Sequence, residues 1–368
     1  MSTASAKPLL MPNRQVKPLK LTWNNVQRLI TEHTEEIVSR DLVPDPCVSV
    51  YLVAYNHAPY IQQALDSVLA QETEFPFEIV LGDDCSSDGT TQIAEAYQRN
   101  HPTKIRLLKS NQCLGKHTGN GRVNSIRILQ SARGRYVALL DGDDYWCDNT
   151  KLQSQIDAIQ ADDQYVASFH DTDILADGVQ RPWREHPDQQ YFTQSYVVAT
   201  LSPFHTSSFL FQRNLLENLP ERLLNVQSLD MTLFTFVSQY GAFCRIPKTM
   251  SVYRKHAGGI TNAASSQGWR LQLERYAMWK NLRHTILAEN VNQYDAVVRQ
   301  HFQSVTDHTD GIQEVLEAYA RLGRSLPLRS RNAFLAACIY AKLRAKFAGA
   351  RATTSDSGEH ASDIPVKQ

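Results

Sequence analysis

The sequence has no long apolar run and no excess of one charge, and each absence excludes a class of protein. No apolar stretch reaches the roughly 18 to 20 residues needed to span a bilayer. The polar N-terminus also has no apolar core of the kind that a secretory signal needs. A cytoplasmic protein is therefore predicted. The 38 basic and 38 acidic residues balance, which argues against a nucleic-acid partner bound through bulk positive charge.

Closely spaced cysteines are absent as well. The six cysteines are scattered and form no Cys-x-x-Cys pair, so neither a zinc site nor a disulfide framework is predicted. The length of 368 residues exceeds the usual size of one domain. We therefore expect a main domain with appended segments.

Strands and helices alternate after Cys47, which defines the expected main domain at residues 47–262. Apolar, β-branched runs predict strands at 48–53, 77–81, 104–108, 136–140 and 165–170, with helical patterns between them. Such alternation predicts an α/β fold with a doubly wound, mostly parallel sheet. Ligands of such sheets bind beyond the carboxyl ends of the strands.

The segments outside this domain have other patterns. Residues 1–46 form an N-terminal extension, in which Thr22 is expected to cap a helix that extends to Ile37. Residues 263–350 have helical periodicity, with helices expected near 268–287, 291–322 and 328–350. The polar tail 351–368 is predicted to be disordered.

Two acidic clusters each follow a predicted buried strand. The first begins with Asp83-Asp84, and the second is Asp141-Gly142-Asp143-Asp144. Turn chemistry would explain either cluster alone. If both clusters lie at the same sheet edge, their negative charges would repel each other unless a cation lay between them. Mg²⁺ or Mn²⁺, which binds a few carboxylates together with phosphate oxygens, is therefore predicted.

Three segments resemble family-2 glycosyltransferases in order and spacing. They are VSVYLVAYN at 48–56, EIVLGDDCSSDGT at 78–90 and GRYVALLDGDDYW at 134–146. The resemblance covers roughly residues 47–262 and implies a GT-A fold. It also implies metal-dependent transfer of a sugar, with inversion, from a nucleotide-diphosphate sugar to an acceptor hydroxyl. A UDP-sugar is the expected donor and a glycan or lipid-linked molecule the expected acceptor, in cell-surface polysaccharide or glycan biosynthesis.

The same resemblance implies roles for residues in the three segments. Tyr55 and Asn56 would lie beside the donor nucleotide. Asp83 or Asp84 would accept hydrogen bonds from the base, which suits a group that can only accept. The family's DxD motif corresponds here to Asp141 and Asp143. Of these, Asp141 would lie near the ribose and Asp143 would ligate the metal.

Two later segments also match the family. Arg254 and His256 fall in YRKHAGG, which resembles a motif that returns to the diphosphate and the metal. Asp230, at the start of a predicted helix, takes the place of the family's general base, although Leu229 replaces the first member of the usual acidic pair. A helix-start Asp favoured by the helix dipole is the alternative. For His205, which precedes a strand-like run, a pocket role and simple packing stay open.

Two other functions compete with sugar transfer. A sugar-1-phosphate nucleotidyltransferase would need a Gly-rich, Arg-containing loop after the first strand, where this chain has Tyr55-Asn56-His57-Ala58-Pro59. A non-catalytic protein that binds nucleotide sugars would not need both the DxD motif and Asp230.

The last predicted helix is basic and amphipathic. Its segment 331–351 carries Leu335, Ile339, Leu343 and Phe347 on one face. The helix is therefore expected either to contact the inner face of a membrane peripherally or to pack on the protein.

Overall fold

The computed structural model describes residues 20–115, 121–200, 203–226, 228–259, 269–308, 312–322, 326 and 328–355. The strands are β1 (Thr34–Ile37), β2 (Val48–Ala54), β3 (Phe77–Asp83), β4 (Ile105–Ser110), β5 (Tyr136–Asp141), β6 (Tyr145–Trp146), β7 (Tyr165–Ala176), β8 (Val179–Pro182), β9 (Tyr191–Phe192), β10 (Leu210–Gln212) and β11 (Ala242–Lys255). The α-helices are α1 (Trp23–His33), α2 (Ile61–Leu69), α3 (Thr90–Asn100), α4 (Arg122–Ser131), α5 (Lys151–Gln160), α6 (Gln194–Ala199), α7 (Leu229–Val237), α8 (Trp269–Leu282), α9 (Val291–His308), α10 (Ile312–Leu322) and α11 (Leu328–Ser355).

These strands form one sheet in the order β1-β4-β3-β2-β5-β10-β7-β11-β6, with β8 beside β7 and β9 beside β11. Strands β4, β3, β2 and β5 are mutually parallel. Strand β10 is antiparallel to both β5 and β7, whereas β7 and β11 are again parallel. The predicted α/β class with a mostly parallel sheet and a helical C-terminal region is confirmed.

The sheet is buried on both faces because side chains of a strand alternate between them. On β2, Val50 and Leu52 point to one apolar cluster, formed with helices α2 and α5. Tyr51 points to the other, which contains residues of α4, α7 and α9. The loops at the carboxyl edge are therefore anchored on a sheet that is covered on both sides.

The N-terminal helix is real but shorter than predicted. The Thr22 side chain accepts a hydrogen bond from the backbone of Asn25, and the Asn25 side chain accepts one in return from the backbone of Thr22. This reciprocal cap fixes the start of α1. The expected extension to Ile37 is wrong, because Thr34–Ile37 is strand β1, antiparallel to β4. In these residues, hydrogen bonding to the open edge of the sheet is favoured over the helix that the apolar spacing predicts.

Two strands beyond the parallel half are much longer than the sequence indicates. Strand β7 continues past His170 to Ala176, and β11 runs for 14 residues from Ala242 to Lys255. Polar side chains interrupt the apolar pattern of both. They are stabilised by pairing with each other, which local periodicity does not reveal. Strand β11 delivers Arg254 to the carboxyl edge.

The C-terminal helices pack mainly on one another. The expected helix over 291–322 is divided into α9 and α10. On α11, Phe334 and Cys338 are buried in a cluster with residues of α8 and α10, Leu335 packs beside them and Ile339 is exposed. The side chains of Leu343 and Phe347 lie outside the described part. None of the described helices combines the length and the apolar character needed to cross a bilayer.

Candidate active site

The loops that follow β2, β3 and β5 meet at one edge of the sheet. The strand register pairs Ala54 with Asp83, and Val53 with Asp141. These parallel strands therefore end side by side, and the two acidic clusters are neighbours, as the sequence predicted. The result is a polar crevice at the place where α/β sheets bind their ligands.

Both carboxylates of the first cluster are held by their own surroundings. Asp83 accepts hydrogen bonds from the hydroxyls of Ser86 and Thr91, the latter at 2.6 Å. Asp84 accepts the backbone N–H groups of Leu114 and Gly115 at 2.7 and 3.0 Å. Burial raises the pKa of Asp84, and those two N–H groups act in the opposite direction. The cluster is thus a rigid loop, with its carboxylates almost inaccessible to solvent.

The loop after β2 is tied to the same cluster. Asn56 adopts a positive φ of 55°, a conformation that Asn tolerates better than most residues. Its side-chain oxygen accepts the backbone N–H of Ser87, and its own N–H donates to the Ser86 hydroxyl, both at 2.9 Å. Tyr55 is half exposed beside it. Both predicted nucleotide neighbours are therefore exposed.

Asp143 faces two histidines across the crevice. Its Oδ2 atom lies 3.0 Å from His256 Nε2 and 3.7 Å from His57 Nε2. Gly142 is required between the aspartates because a Cβ atom there would lie 2.9 Å from His57 Nδ1 and from the Val53 carbonyl oxygen. The predicted pair of Asp143 and His256 is thus brought together, and His57 is a neighbour that the sequence reasoning missed. His57 lies two residues after Tyr55, a predicted nucleotide neighbour, and this position in the sequence could have indicated that His57 belongs to the site.

Arg254 fixes the backbone of the DxD loop. Its guanidinium donates to the Asp143 carbonyl oxygen at 2.6 Å, and its backbone N–H donates to Asp144 Oδ1 at 2.8 Å. The guanidinium also lies over the rings of Tyr60 and Tyr145, with centroid distances of 5.1 and 4.7 Å. The guanidinium of Arg254 is therefore already engaged in contacts within the protein, and these contacts hold the DxD loop in place.

The second acidic cluster is electrostatically strained. Burial, followed by repulsion from Asp143 and then from Asp230, raises the pKa of Asp141. Burial, followed by repulsion from Asp143 and Asp141, raises the pKa of Asp144 as well. Negative charge is thus in excess here, and a divalent cation would relieve it.

The protein's own groups could supply only part of a cation's coordination. Within the described ranges, no three His, Cys, Asp or Glu side chains are arranged to hold a metal ion by themselves. Asp143 with His256 could contribute two ligands, and a cation there would need further oxygen ligands. This partial set fits Mg²⁺ or Mn²⁺, which commonly bind through one or two protein ligands together with substrate phosphates and water.

Asp230 approaches the same crevice from the other side. It lies in the first turn of α7 and accepts hydrogen bonds from the hydroxyls of Ser228 and, at 3.4 Å, Thr206. Arg275 of α8 is another neighbour. Burial lowers the pKa of its guanidinium, whereas the negative charge of Asp230 acts to raise it. Asp230 therefore lies close enough to the DxD loop that its negative charge contributes to the raised pKa of Asp141.

Two further histidines, His170 and His205, have different environments. His170 is completely buried, and its Nδ1 atom contacts the carbonyl oxygen of Asp171 at 2.8 Å. His205 lies in the loop before β10, beside Asp230 and the second acidic cluster. Packing is thus the role of His170, whereas His205 borders the crevice.

The fold and this crevice together define a class of protein. A mostly parallel sheet with two acidic loops at its carboxyl edge, one of them containing a DxD sequence, is the arrangement of a GT-A transferase. The family model of Glycosyl transferase family 2 matches residues 49–219. This segment of the chain therefore matches family 2 of the glycosyltransferases, as the resemblance in the sequence predicted.

Known proteins are similar to this chain in sequence. An uncharacterized protein of Mycobacterium bovis is 29% identical over 290 residues, which are 77% of this chain and 79% of that protein. A putative teichuronic acid biosynthesis glycosyltransferase of Bacillus subtilis, TuaG, is 35% identical over 113 residues, which are 30% of this chain and 41% of TuaG.

Among solved structures, residues 1–349 of Staphylococcus aureus TarS in complex with UDP-GlcNAc superpose with a TM-score of 0.54. The superposition has 20% identity and covers 78% of this chain and 83% of that one. At this identity the likeness concerns the fold, and it confirms the predicted GT-A architecture.

Proposed function

We propose that this glycosyltransferase transfers a sugar, with inversion, from a UDP-sugar to an acceptor hydroxyl in the synthesis of a cell-surface polysaccharide. The observation that carries the proposal is that Asp143 and Asp230 both lie close enough to Asp141, at the carboxyl edge of a GT-A sheet, to raise its pKa. One side has the charge and the loops that suit a nucleoside diphosphate. The other has a carboxylate that can accept a proton.

On the donor side, Tyr55 and Asn56 would border the nucleotide, and Asp83 or Asp84 would face the base. Asp141 would lie near the ribose, and Asp143 and His256 would hold Mg²⁺ or Mn²⁺. When bound, such a cation stabilises the negative charge of the leaving diphosphate. Arg254 would act on the same charge indirectly, by keeping the Asp143 carbonyl and the DxD loop in place.

On the acceptor side, Asp230 would remove the proton from the attacking hydroxyl. A carboxylate can do so when it lies within hydrogen-bond reach of that hydroxyl. The hydroxyls of Ser228 and Thr206 orient it. A single direct displacement with one base inverts the configuration at the sugar carbon, and no second carboxylate is needed as a nucleophile.

The similar proteins support the substrate classes. TarS is solved with UDP-GlcNAc, which supports a UDP-sugar donor. TuaG is named for teichuronic acid biosynthesis, which supports a glycan or lipid-linked acceptor. For a lipid-linked acceptor, we propose that segment 331–351 contacts the membrane surface. The exposed Ile339 and Tyr340 would be its apolar contacts.

A thermal-shift screen of nucleoside diphosphates and their sugars, with and without Mn²⁺, tests the donor side, because a ligand specific for the folded state raises the unfolding temperature. We expect UDP and one UDP-sugar to raise it only when Mn²⁺ is present. Donor turnover with and without acceptor then separates the alternatives. Release of pyrophosphate from a sugar-1-phosphate and UTP would identify a nucleotidyltransferase, and binding without any turnover would identify a non-catalytic protein.

A further inference from the structure

A histidine with no role in the mechanism above lies between the two ends of the crevice. The residue next to His205, Thr206, donates a hydrogen bond to Asp230 at 3.4 Å. In the other direction, His205 Nδ1 is 3.8 Å from Asp144 Oδ2, and the His205 side chain is 12% exposed. The ring therefore borders the space between the proposed base and the DxD loop.

The hydrogen bonds of His205 decide which ring nitrogen carries the proton. The backbone N–H of Ser207 donates to Nδ1 at 3.3 Å, so Nδ1 is the acceptor and the proton of the neutral ring is on Nε2. Burial lowers the pKa of His205 to about 4, although the nearby Asp230 and Asp143 act to raise it. Near neutral pH the ring is therefore uncharged and its Nε2–H group is a donor.

The ring is held from two sides. It stacks on Tyr253 with a centroid distance of 4.4 Å and an interplanar angle of 25°, and Trp183 meets it nearly edge-on at 5.9 Å. Trp183 is itself fixed by its backbone N–H, which donates to the Thr172 carbonyl oxygen at 2.9 Å. The direction of Nε2–H is thus set before any ligand binds, which reduces the entropy lost on binding.

No residue of the described ranges accepts this hydrogen bond. Among the described residues, the polar contacts of the ring involve only Nδ1. Nε2 is also not enclosed, in contrast to His57 Nδ1 and His170 Nε2, which are buried without a partner. A donor that is oriented and accessible, on a ring close to Asp144 and within the electrostatic influence of Asp230 and Asp143, suits a neutral hydrogen-bond acceptor that has protons of its own. A sugar hydroxyl has this character.

We propose that His205 Nε2–H donates a hydrogen bond to a hydroxyl of a sugar lying between Asp143 and Asp230, and so determines which sugar is accepted. The inference rests on the proposed function, since it assumes that sugars occupy this crevice. The hydroxyl could belong to the donor sugar or to the acceptor, and the two cases are distinguished below.

Three substitutions separate the hydrogen bond from the packing. His205→Asn keeps an oxygen that can accept the Ser207 N–H but lacks a donor at the position of Nε2. His205→Phe keeps the ring between Tyr253 and Trp183 without any donor, and His205→Gln keeps a donor of similar reach. His186→Asn is the control, because His186 is another histidine with a lowered pKa, about 4 through burial, and its Nδ1 contacts the Tyr196 hydroxyl.

We expect His205→Asn and His205→Phe to raise the KM for one sugar substrate about tenfold, which corresponds to one lost hydrogen bond in a buried site. His205→Gln should recover part of the loss, and His186→Asn should have the wild-type KM. Affinity for UDP in the presence of Mn²⁺ should not change, because UDP contains no transferred sugar. If both KM values remain at the wild-type level in the Asn and Phe variants, the inference is overturned, whatever happens to their unfolding temperatures.

Two measurements identify the sugar. If the hydroxyl belongs to the donor, the variants lose the difference in affinity between UDP and the UDP-sugar that wild type transfers fastest, with UDP-GlcNAc tried first. If it belongs to the acceptor, that difference is retained and only the acceptor KM rises. In either case, one deoxy analogue should bind equally to wild type and His205→Asn. A wild-type protein that binds no nucleotide sugar would instead overturn the proposed function, and the inference with it.

Discussion

The two sides of the crevice are built differently. The donor side consists of loops that directly follow the parallel strands β2, β3 and β5, and hydrogen bonds within and between those loops hold Asp83, Asp84 and Asn56. The proposed acceptor side combines the start of α7, the loop before β10 and helix α8, which are far apart in sequence. The donor side is thus fixed by local structure, whereas the acceptor side depends on packing between distant segments.

The largest loss of turnover is expected when the donor side loses Asp143. Asp143→Asn should lower kcat at least about 100-fold, because charge stabilisation at the leaving diphosphate would be lost. The fold should be retained, since the substitution relieves repulsion of Asp141 and Asp144. Turnover and its dependence on Mn²⁺ are the measurements, with Asp157→Asn on the exposed side of α5 as the control. Near-normal activity of Asp143→Asn in chelator would show that the metal assignment is wrong.

A loss of similar kind is expected on the acceptor side. Asp230→Asn should lower kcat at least about 100-fold and leave UDP-sugar affinity unchanged, because a general base acts mainly in the transition state. Comparison of kcat with the dissociation constant for the donor tests this. A helix-dipole role would have the opposite signature, namely a lower unfolding temperature with turnover intact.

A smaller effect should follow a change behind the DxD loop. Arg254→Lys keeps the charge but loses the planar group that lies over Tyr60 and Tyr145. We expect kcat/KM to fall about 10- to 100-fold through misplacement of the loop. Arg283→Lys is a matched control, because Arg283, just after α8, also lies over an aromatic ring, that of Tyr294 at 5.6 Å. An equal loss in both variants would contradict the special role of Arg254.

The packing of the helical region should affect stability more than chemistry. Helix α8 packs against α7, which carries Asp230, and Phe334 of α11 packs in the cluster that includes residues of α8. Phe334→Ala should lower the free energy of unfolding by about 3 to 5 kcal/mol. Chemical denaturation measures this change. If the variant folds and has a normal acceptor KM but binds UDP more weakly, then the helical region supports the donor side rather than the acceptor side, contrary to this comparison.

The smallest effect is expected at the exposed surface of α11. Tyr340 is 67% exposed, so Tyr340→Ser should change the unfolding free energy by no more than about 0.5 kcal/mol. If segment 331–351 contacts membranes, the same variant should bind anionic liposomes more weakly in co-sedimentation. Unchanged binding, or no binding of the wild type, would exclude this contact at Tyr340.

The donor side could be read from the sequence because its determinants are local. An apolar strand followed by an acidic turn is a short pattern, and parallel pairing brings such turns together without further information. The spacing of Asp83 and Asp141 relative to their strands therefore predicted their proximity. It did not predict that Asp84 is held by Leu114 and Gly115, since that contact connects different loops.

The sequence by itself determined the α/β class, the family and the positions of the acidic loops, because these depend on periodicity and short motifs. Only the tertiary structure decided that Ile37 lies in a strand, that β11 extends over 14 residues and that His205 lies near Asp230. The physical reason is the same in each case. These features are stabilised by partners tens of residues or more away along the chain, and local propensity contains no information about such partners.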